Sequence, residues 1–188
     1  MSRQLWFTSD WHLDHKNIIK YDNRPFKSIH EMNETIISNT NKVVKTSDIL
    51  YYLGDFAFSK SFDRIQHLRN QINCDTICFI LGNHDKFIRQ QSNYLINCCI
   101  FDEIEDIKEI SFGQSKADKI TLCHYAMRTW NKSHHGTYHL YGHSHHNLPE
   151  DDSLSFDVGV NGHNYYPVSL DDVICKMSNK NKKKEQKI

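Results

Sequence analysis

The chain has 188 residues, with 23 Lys+Arg against 23 Asp+Glu for a formal net charge of zero, and 38% of it is hydrophobic. That length supports one domain with a sizeable core and is short for two. The composition excludes a disordered polyelectrolyte and a membrane-spanning chain, and zero net charge argues against long nucleic acid as a partner.

The opening segment Leu5–Thr8 reads as a strand ending at Ser9-Asp10. It lacks the apolar core of a secretion signal, and no run of about 18 apolar residues follows anywhere. Ser28-x-x-Glu31 is a capping box that opens a helix to about Val44. Ile49–Leu53 is a second strand ending at Gly54-Asp55, and Phe62–Asn70 carries apolar residues at helical spacing. Thr76–Leu81 is a third strand, ending at Gly82-Asn83-His84-Asp85. Strand, helix, strand, helix, strand describes an α/β half.

Beyond about Asn97 the pattern turns β-rich, with strands expected over 105–112, 119–123, 138–141 and 155–160. No repeat or Pro/Gly-rich linker separates the halves, so residues 1–178 are expected to form one domain. The lysine-rich residues 179–188 read as a disordered tail. The six cysteines mostly sit in apolar runs and Cys98-Cys99 are adjacent. This favours buried thiols over disulfides and leads to the expectation of a reducing, cytoplasmic compartment.

Histidine is the unusual count. Seven of the 13 lie between His124 and His146, and clustered imidazoles serve metal binding and proton transfer. Five strand ends finish in metal-type residues: Asp10-Trp11-His12, Gly54-Asp55, Gly82-Asn83-His84-Asp85, Cys123-His124 and Gly142-His143-Ser144-His145. Loops beyond the carboxyl ends of strands are where open α/β sheets bind ligands. Imidazole, carboxylate and amide oxygen suit Mn, Fe or Zn, and so many ligands are too many for one ion. Two ions about 3.5–4 Å apart, sharing a carboxylate, would use them all and would clamp a phosphate while acidifying a water.

The ordered series DxH, GD, GNHD, H and GHxH, spread over about Leu5 to Val160, resembles the calcineurin-like metallophosphoesterases. The segments NIIKYDNRPF, HYAMRTWN, HLYGHSH and FDVGV are similar to those of a compact bacterial and phage branch. The resemblance implies a four-layer αββα sandwich, with two mixed sheets flanked by helices. It assigns one divalent ion to Asp10, His12, Asp55 and His145, and a second to Asp55, Asn83, His124 and His143. Mn is the ion expected first, with Fe, Zn, Ni or Mg as alternatives.

It further implies that a metal-activated hydroxide hydrolyses a small phosphodiester or phosphomonoester, nucleotide-derived among the choices. His84 would be the proton donor and Asp85 its orienting partner. A nuclease and a non-catalytic metal-binding scaffold are the competing readings. Where many relatives carry Pro two residues after the lone metal His, this chain has Ala126.

Arg24 and Arg128 could each meet a phosphate bidentately, and Trp130 could stack on a substrate. His15 could stand beside the first ion. His134, His135 and His146 carry no assigned role.

Overall fold

The three strands expected in the first half form because their residues alternate between two buried faces. The computed structural model of the chain describes residues 3–185, with β1 at Leu5–Thr8, β2 at Ile49–Tyr52 and β3 at Thr76–Ile80. Leu50, Tyr52, Ile77 and Phe79 point to one hydrophobic cluster, whereas Phe7, Tyr51, Leu53, Cys78 and Ile80 point to another. A sheet buried on both faces needs apolar residues at both parities of the strand, which these runs supply.

The first cluster is closed by helices. After a short α1 (Ile18–Tyr21), α2 (Ile29–Val43) and α3 (Phe62–Arg69) contribute Met32, Ile36, Ile37, Ile65 and Leu68 to it. Ser28 Oγ accepts from Glu31 N at 3.1 Å, and Glu31 Oε2 accepts from Lys27 N at 2.7 Å, so α2 begins at its capping box. Helices α4 (Lys86–Gln90) and α5 (Ser92–Asn97) lead to β4 (Glu103–Glu105), which pairs parallel with β3.

The chain then builds a second sheet from β5 (Ile107–Ser111), β6 (Lys119–Cys123), β7 (Tyr138–Tyr141) and β8 (Ser155–Asp157), in that order, with β5 antiparallel and the rest parallel. A last strand, β9 (Val168–Ser169), returns antiparallel to β1 and completes a five-stranded sheet of order β4-β3-β2-β1-β9. Ile110, Ile120, Leu122, Leu140 and Phe156 of the second sheet join the cluster that holds Phe7, Leu53 and Ile80 of the first. The two mixed sheets therefore face each other across a shared core, and with their helices they make a layered α/β sandwich.

The lysine-rich end departs from expectation. Helix α6 runs over Leu170–Glu185, so residues 179–185 are helical rather than a disordered tail; residues 186–188 lie outside the described residues. Val173 and Met177, one helical turn apart, are buried in the inter-sheet core, and Lys176 Nζ lies 4.4 Å from the centre of the Phe156 ring. Lys180 Nζ donates to the carbonyls of Ser155 (2.6 Å) and Ser153 (3.2 Å). Packing on one face carries the helix past the point where charge alone suggested disorder. The fourth strand of the second sheet also stops early, at Asp157, because Val160–His163 turns into a 3-10 helix.

All six cysteines are free. Cys74, Cys78 and Cys123 are buried, whereas Cys98, Cys99 and Cys175 are exposed, so the expectation that the thiols are mostly buried holds for only half of them. Among the described residues no helix is long and apolar enough to cross a membrane.

Candidate metal centre

The carboxyl ends of β1, β2, β3, β6 and β7 meet at one place, and each delivers its polar residues there. Backbone joins the strand ends: Ser9 bridges to Gly159 across the two sheets, and Asp10 N donates to Gly54 O at 3.0 Å within the first. Ligand-type atoms of Asp10, His12 and His145 cluster within 4.8 Å of one another, as do those of Asp10, Asp55 and His124. Asp10, His12, Asp55 and His124 are all buried.

Asp55 lies between the groups. Its Oδ2 stands 3.5 Å from His12 Nε2 and 3.6 Å from His124 Nε2, and its Oδ1 accepts from His84 N at 2.9 Å. His12 Nε2 and His145 Nε2 approach to 3.2 Å, and His145 Nε2 is 3.4 Å from Asp10 Oδ1. Asn83 Oδ1 lies 3.0 Å from His124 Nε2.

Two imidazoles are aimed from behind. His124 Nδ1 donates to Leu53 O at 2.7 Å, which leaves Nε2 as the atom facing Asp55 and Asn83. His145 Nδ1 is held by Asp22 Oδ2 at 2.5 Å, which turns its Nε2 toward Asp10 and His12. Such outward anchors fix the tautomer and direction of a ligand ring.

The backbone at these positions is itself unusual. Asp10, His12, Asp55, His143 and His145 all have positive φ, between 47° and 65°. A non-glycine residue in the left-handed region is uncommon, and a run of them belongs to a site whose geometry the surrounding fold imposes. Gly54 precedes Asp55 at φ 91°, and a Cβ on Gly142 would collide with Ser9 Oγ and Asp10 Oδ2. Single glycines in front of ligand-type residues therefore serve tight turns and close approach.

The electrostatics fit a cation. Burial lowers the pKa of both His12 and His143, which favours the neutral ring with its lone pair. His145, by contrast, is raised to about 10 against burial by Asp10 and Asp22, so a cation there would have to displace its proton. Burial raises Asp55 despite the opposing His84 N–H, and the Asp10 charge adds to the rise. Asp85 is pushed up to about 6 by burial and by the Asp55 charge. Crowded carboxylates facing imidazole nitrogens are a donor set that a borderline divalent ion would satisfy.

The expected residues do not all take their expected places. His143 is exposed at the rim, with its ring 5.2 Å from that of His124, and its backbone N–H donates to Asp10 Oδ2 at 3.0 Å. His84 is exposed, with its ring 5.3 Å from that of His12. Asp85 does not orient His84. Its carboxylate accepts from Asp55 N (2.7 Å), Gly82 N (2.8 Å) and Phe56 N (3.1 Å), so it ties two ligand loops together.

Arg24 is likewise committed elsewhere. It is buried and donates to Asp10 O (2.8 Å), Trp11 O (2.9 Å) and Asp22 Oδ2, bracing the first loop instead of reaching for a phosphate. Trp130 donates its indole N–H to Thr137 O at 3.0 Å and packs 5.3 Å from His139, so it belongs to the wall of its loop and not to a stacking surface. Arg128 is exposed and has no hydrogen-bond or ion-pair partner among the described residues.

His15 stacks on Phe58 at 4.8 Å and stands 5.6 Å from His12, ring centre to ring centre. His139 is a buried structural histidine: Nδ1 meets Thr121 O at 2.9 Å and Nε2 accepts from Met127 N. Asp22 is the residue the sequence does not announce. It lies within the segment NIIKYDNRPF, yet no spacing relates it to His145.

No protein-family model matches the chain. In overall structure it is similar to the protein of unknown function AQ665 from Aquifex aeolicus, at a TM-score of 0.66 and 23% identity, covering 92% of this chain and 98% of that one. A novel archaeal phosphodiesterase aligns at a TM-score of 0.46 and 20% identity, over 89% of this chain and 98% of that one. In sequence the chain is 35% identical over 187 residues to uncharacterized protein MJ1445 of Methanocaldococcus jannaschii, across 96% of this chain and 94% of that protein. With that identity along nearly the full length of both, the chain belongs to the family of MJ1445.

Proposed function

We propose that the chain hydrolyses a small phosphate ester at a two-metal centre of the metallophosphoesterase kind. The observation that carries this reading is the convergence of His12, His124 and His145 Nε2 with the carboxylates of Asp10 and Asp55, drawn from the ends of strands in both sheets. Asp10, His12, Asp55 and His145 would hold one ion. Asp55, Asn83, His124 and His143 would hold the other, with Asp55 shared. Mn²⁺ suits this mixture of imidazole, carboxylate and amide oxygen. Divalent ions bound here supply Lewis acidity, polarising a phosphoryl group and acidifying water.

The protein's own groups do the rest. Asp22 and Leu53 O keep two imidazoles aimed. Asp85 holds the Asp55 and Gly82 loops in register. His84, whose backbone N–H donates to Asp55 and whose side chain is exposed, would give a proton to the departing oxygen. Arg128, exposed and unpaired, is free to meet an anionic substrate.

Hydrolysis of bis-p-nitrophenyl phosphate and p-nitrophenyl phosphate with Mn²⁺ tests the reading. Turnover in the wild type that is lost in Asp55→Asn supports it, and the preferred substrate separates diesterase from monoesterase. No turnover with any divalent ion would sink it.

A further inference from the structure

Next to His84 and Asn83 lies a cavity of about 600 Å³, lined also by Phe58, Ser59, Lys60, Lys86 and Phe87. Its volume is that of a typical small-molecule site. Phe58 is 61% exposed, which is unusual for so large an apolar ring. His15 stacks against it with planes 18° apart, which holds the ring in place. Lys60 and Lys86 are exposed, with no hydrogen bond or ion pair among the described residues. No step derived above for hydrolysis uses any of these four side chains.

We infer that this cavity receives the leaving fragment of the substrate, and that the fragment is a nucleotide. Phe58 offers an exposed flat face, with the half-buried Phe87 beside it, and a planar nucleobase gains more from such a face than a puckered sugar or an alkyl alcohol does. Two unpaired ammonium groups favour a fragment with negative charge of its own, which separates a nucleotide from a nucleoside. His84 and Asn83 form the wall shared with the candidate metal centre. The side of the phosphoester that departs is thereby the side that meets Phe58. The orientation rests on the phosphoesterase reading, whereas recognition of the nucleotide does not.

Calorimetric titration with adenosine 5′-monophosphate, adenosine and ribose 5-phosphate tests the inference, with Mn²⁺ present and again with EDTA. Under both conditions the nucleotide is expected to bind at least about tenfold more tightly than ribose 5-phosphate, given the worth of base stacking, and more tightly than adenosine, given the two ammonium groups. Phe58→Ala should weaken the nucleotide and adenosine about tenfold, and Phe58→Tyr should restore them. The double variant Lys60→Ala/Lys86→Ala should weaken the nucleotide and ribose 5-phosphate but spare adenosine. Equal affinity for the nucleotide and ribose 5-phosphate, or an unaltered nucleotide affinity in a folded Phe58→Ala, overturns the inference. Hydrolysis of bis-p-nitrophenyl phosphate, followed in parallel, tells the two failures apart. Turnover without nucleotide preference defeats the cavity assignment alone, and nucleotide recognition without turnover defeats only the phosphoesterase reading.

Discussion

His145 Nδ1 lies 2.5 Å from Asp22 Oδ2, across 123 residues of chain. The same oxygen accepts from Arg24 Nη2 at 3.2 Å and from Asn161 Nδ2 at 2.9 Å. Burial works against this carboxylate, yet its hydrogen bond and charge contact with His145 outweigh that and hold it at about 2. One carboxylate thus orients a candidate ligand and neutralises the buried Arg24. Asp22→Ala should release both. Mn²⁺ affinity is expected to fall about 10–100-fold, the usual consequence of losing a residue that orients a ligand. Stability should fall with it, because Arg24 is left buried without its partner. Calorimetric Mn²⁺ titration and thermal unfolding measure the two effects, and unchanged metal affinity would contradict the orienting role.

Asp85 supports the site through backbone alone. Three buried N–H groups, of Asp55, Phe56 and Gly82, end on its carboxylate. Asp85→Ala orphans all three at about 1–3 kcal/mol for each group left without a partner. Relaxation and water entry will recover part of that. A net loss of about 3 kcal/mol is expected, lowering Tm by roughly 6–12 °C for a chain of this size. Asp85→Asn should fall between the two, because its amide oxygen can still accept from Asp55 and Gly82.

The residues that converge at the candidate site were legible in the sequence because each sits at the end of an apolar run, and strand ends in α/β sheets converge. What supports them was not. Asp22 meets His145 only in the folded chain, and Asp85 follows His84 so closely that a direct contact between them was the natural expectation. The same distinction runs through the fold. The strand over 76–80 is announced by TICFI, whereas β4 is three residues, two of them glutamate, recruited by parallel pairing to β3. β9 has two residues and exists because β1 offers it an edge. Helix α6 hid behind its lysines, since the pattern that matters, Val173 and Met177 one turn apart, is only two residues long before charge dominates. Arg24 shows the limit from the other side. Residue type and a polar loop suggested phosphate contact, but only tertiary packing reveals that its donors are already taken.

Asp48 allows a test of the fold away from the metal centre. It is buried and accepts from Lys45 N (2.9 Å), Gln4 N (3.2 Å) and Trp6 Nε1 (3.1 Å). Burial alone would raise its carboxyl, but these donors outweigh burial and hold it below the ordinary value of 3.8. A group whose pKa is lower in the folded state stabilises the fold above its unfolded pKa. That contribution disappears as pH falls through the folded value. Asp48→Asn should therefore destabilise most above about pH 4, and the gap to wild type should narrow at lower pH. Urea unfolding of both proteins at pH 6 and pH 3 measures it, and a gap that widens in acid would reverse the sign.

His84 is separable from the candidate metal donors because its backbone and its ring do different things. Its N–H donates to Asp55 Oδ1, while its exposed ring stands 5.3 Å from His12. His84→Ala keeps the first contact and removes the second. Mn²⁺ affinity should stay within about twofold, because no ligand and no orienting bond is lost. Hydrolysis should depend sharply on the leaving group. A p-nitrophenolate departs without help, so its esters should lose little. An alkoxide needs a proton as it leaves, and its esters should slow by about 10²–10⁴-fold, the range general acids contribute. Rates for a series of phosphodiesters of rising leaving-group pKa should therefore fall more steeply in the variant than in the wild type. Parallel lines would show that His84 binds or positions the substrate and donates no proton.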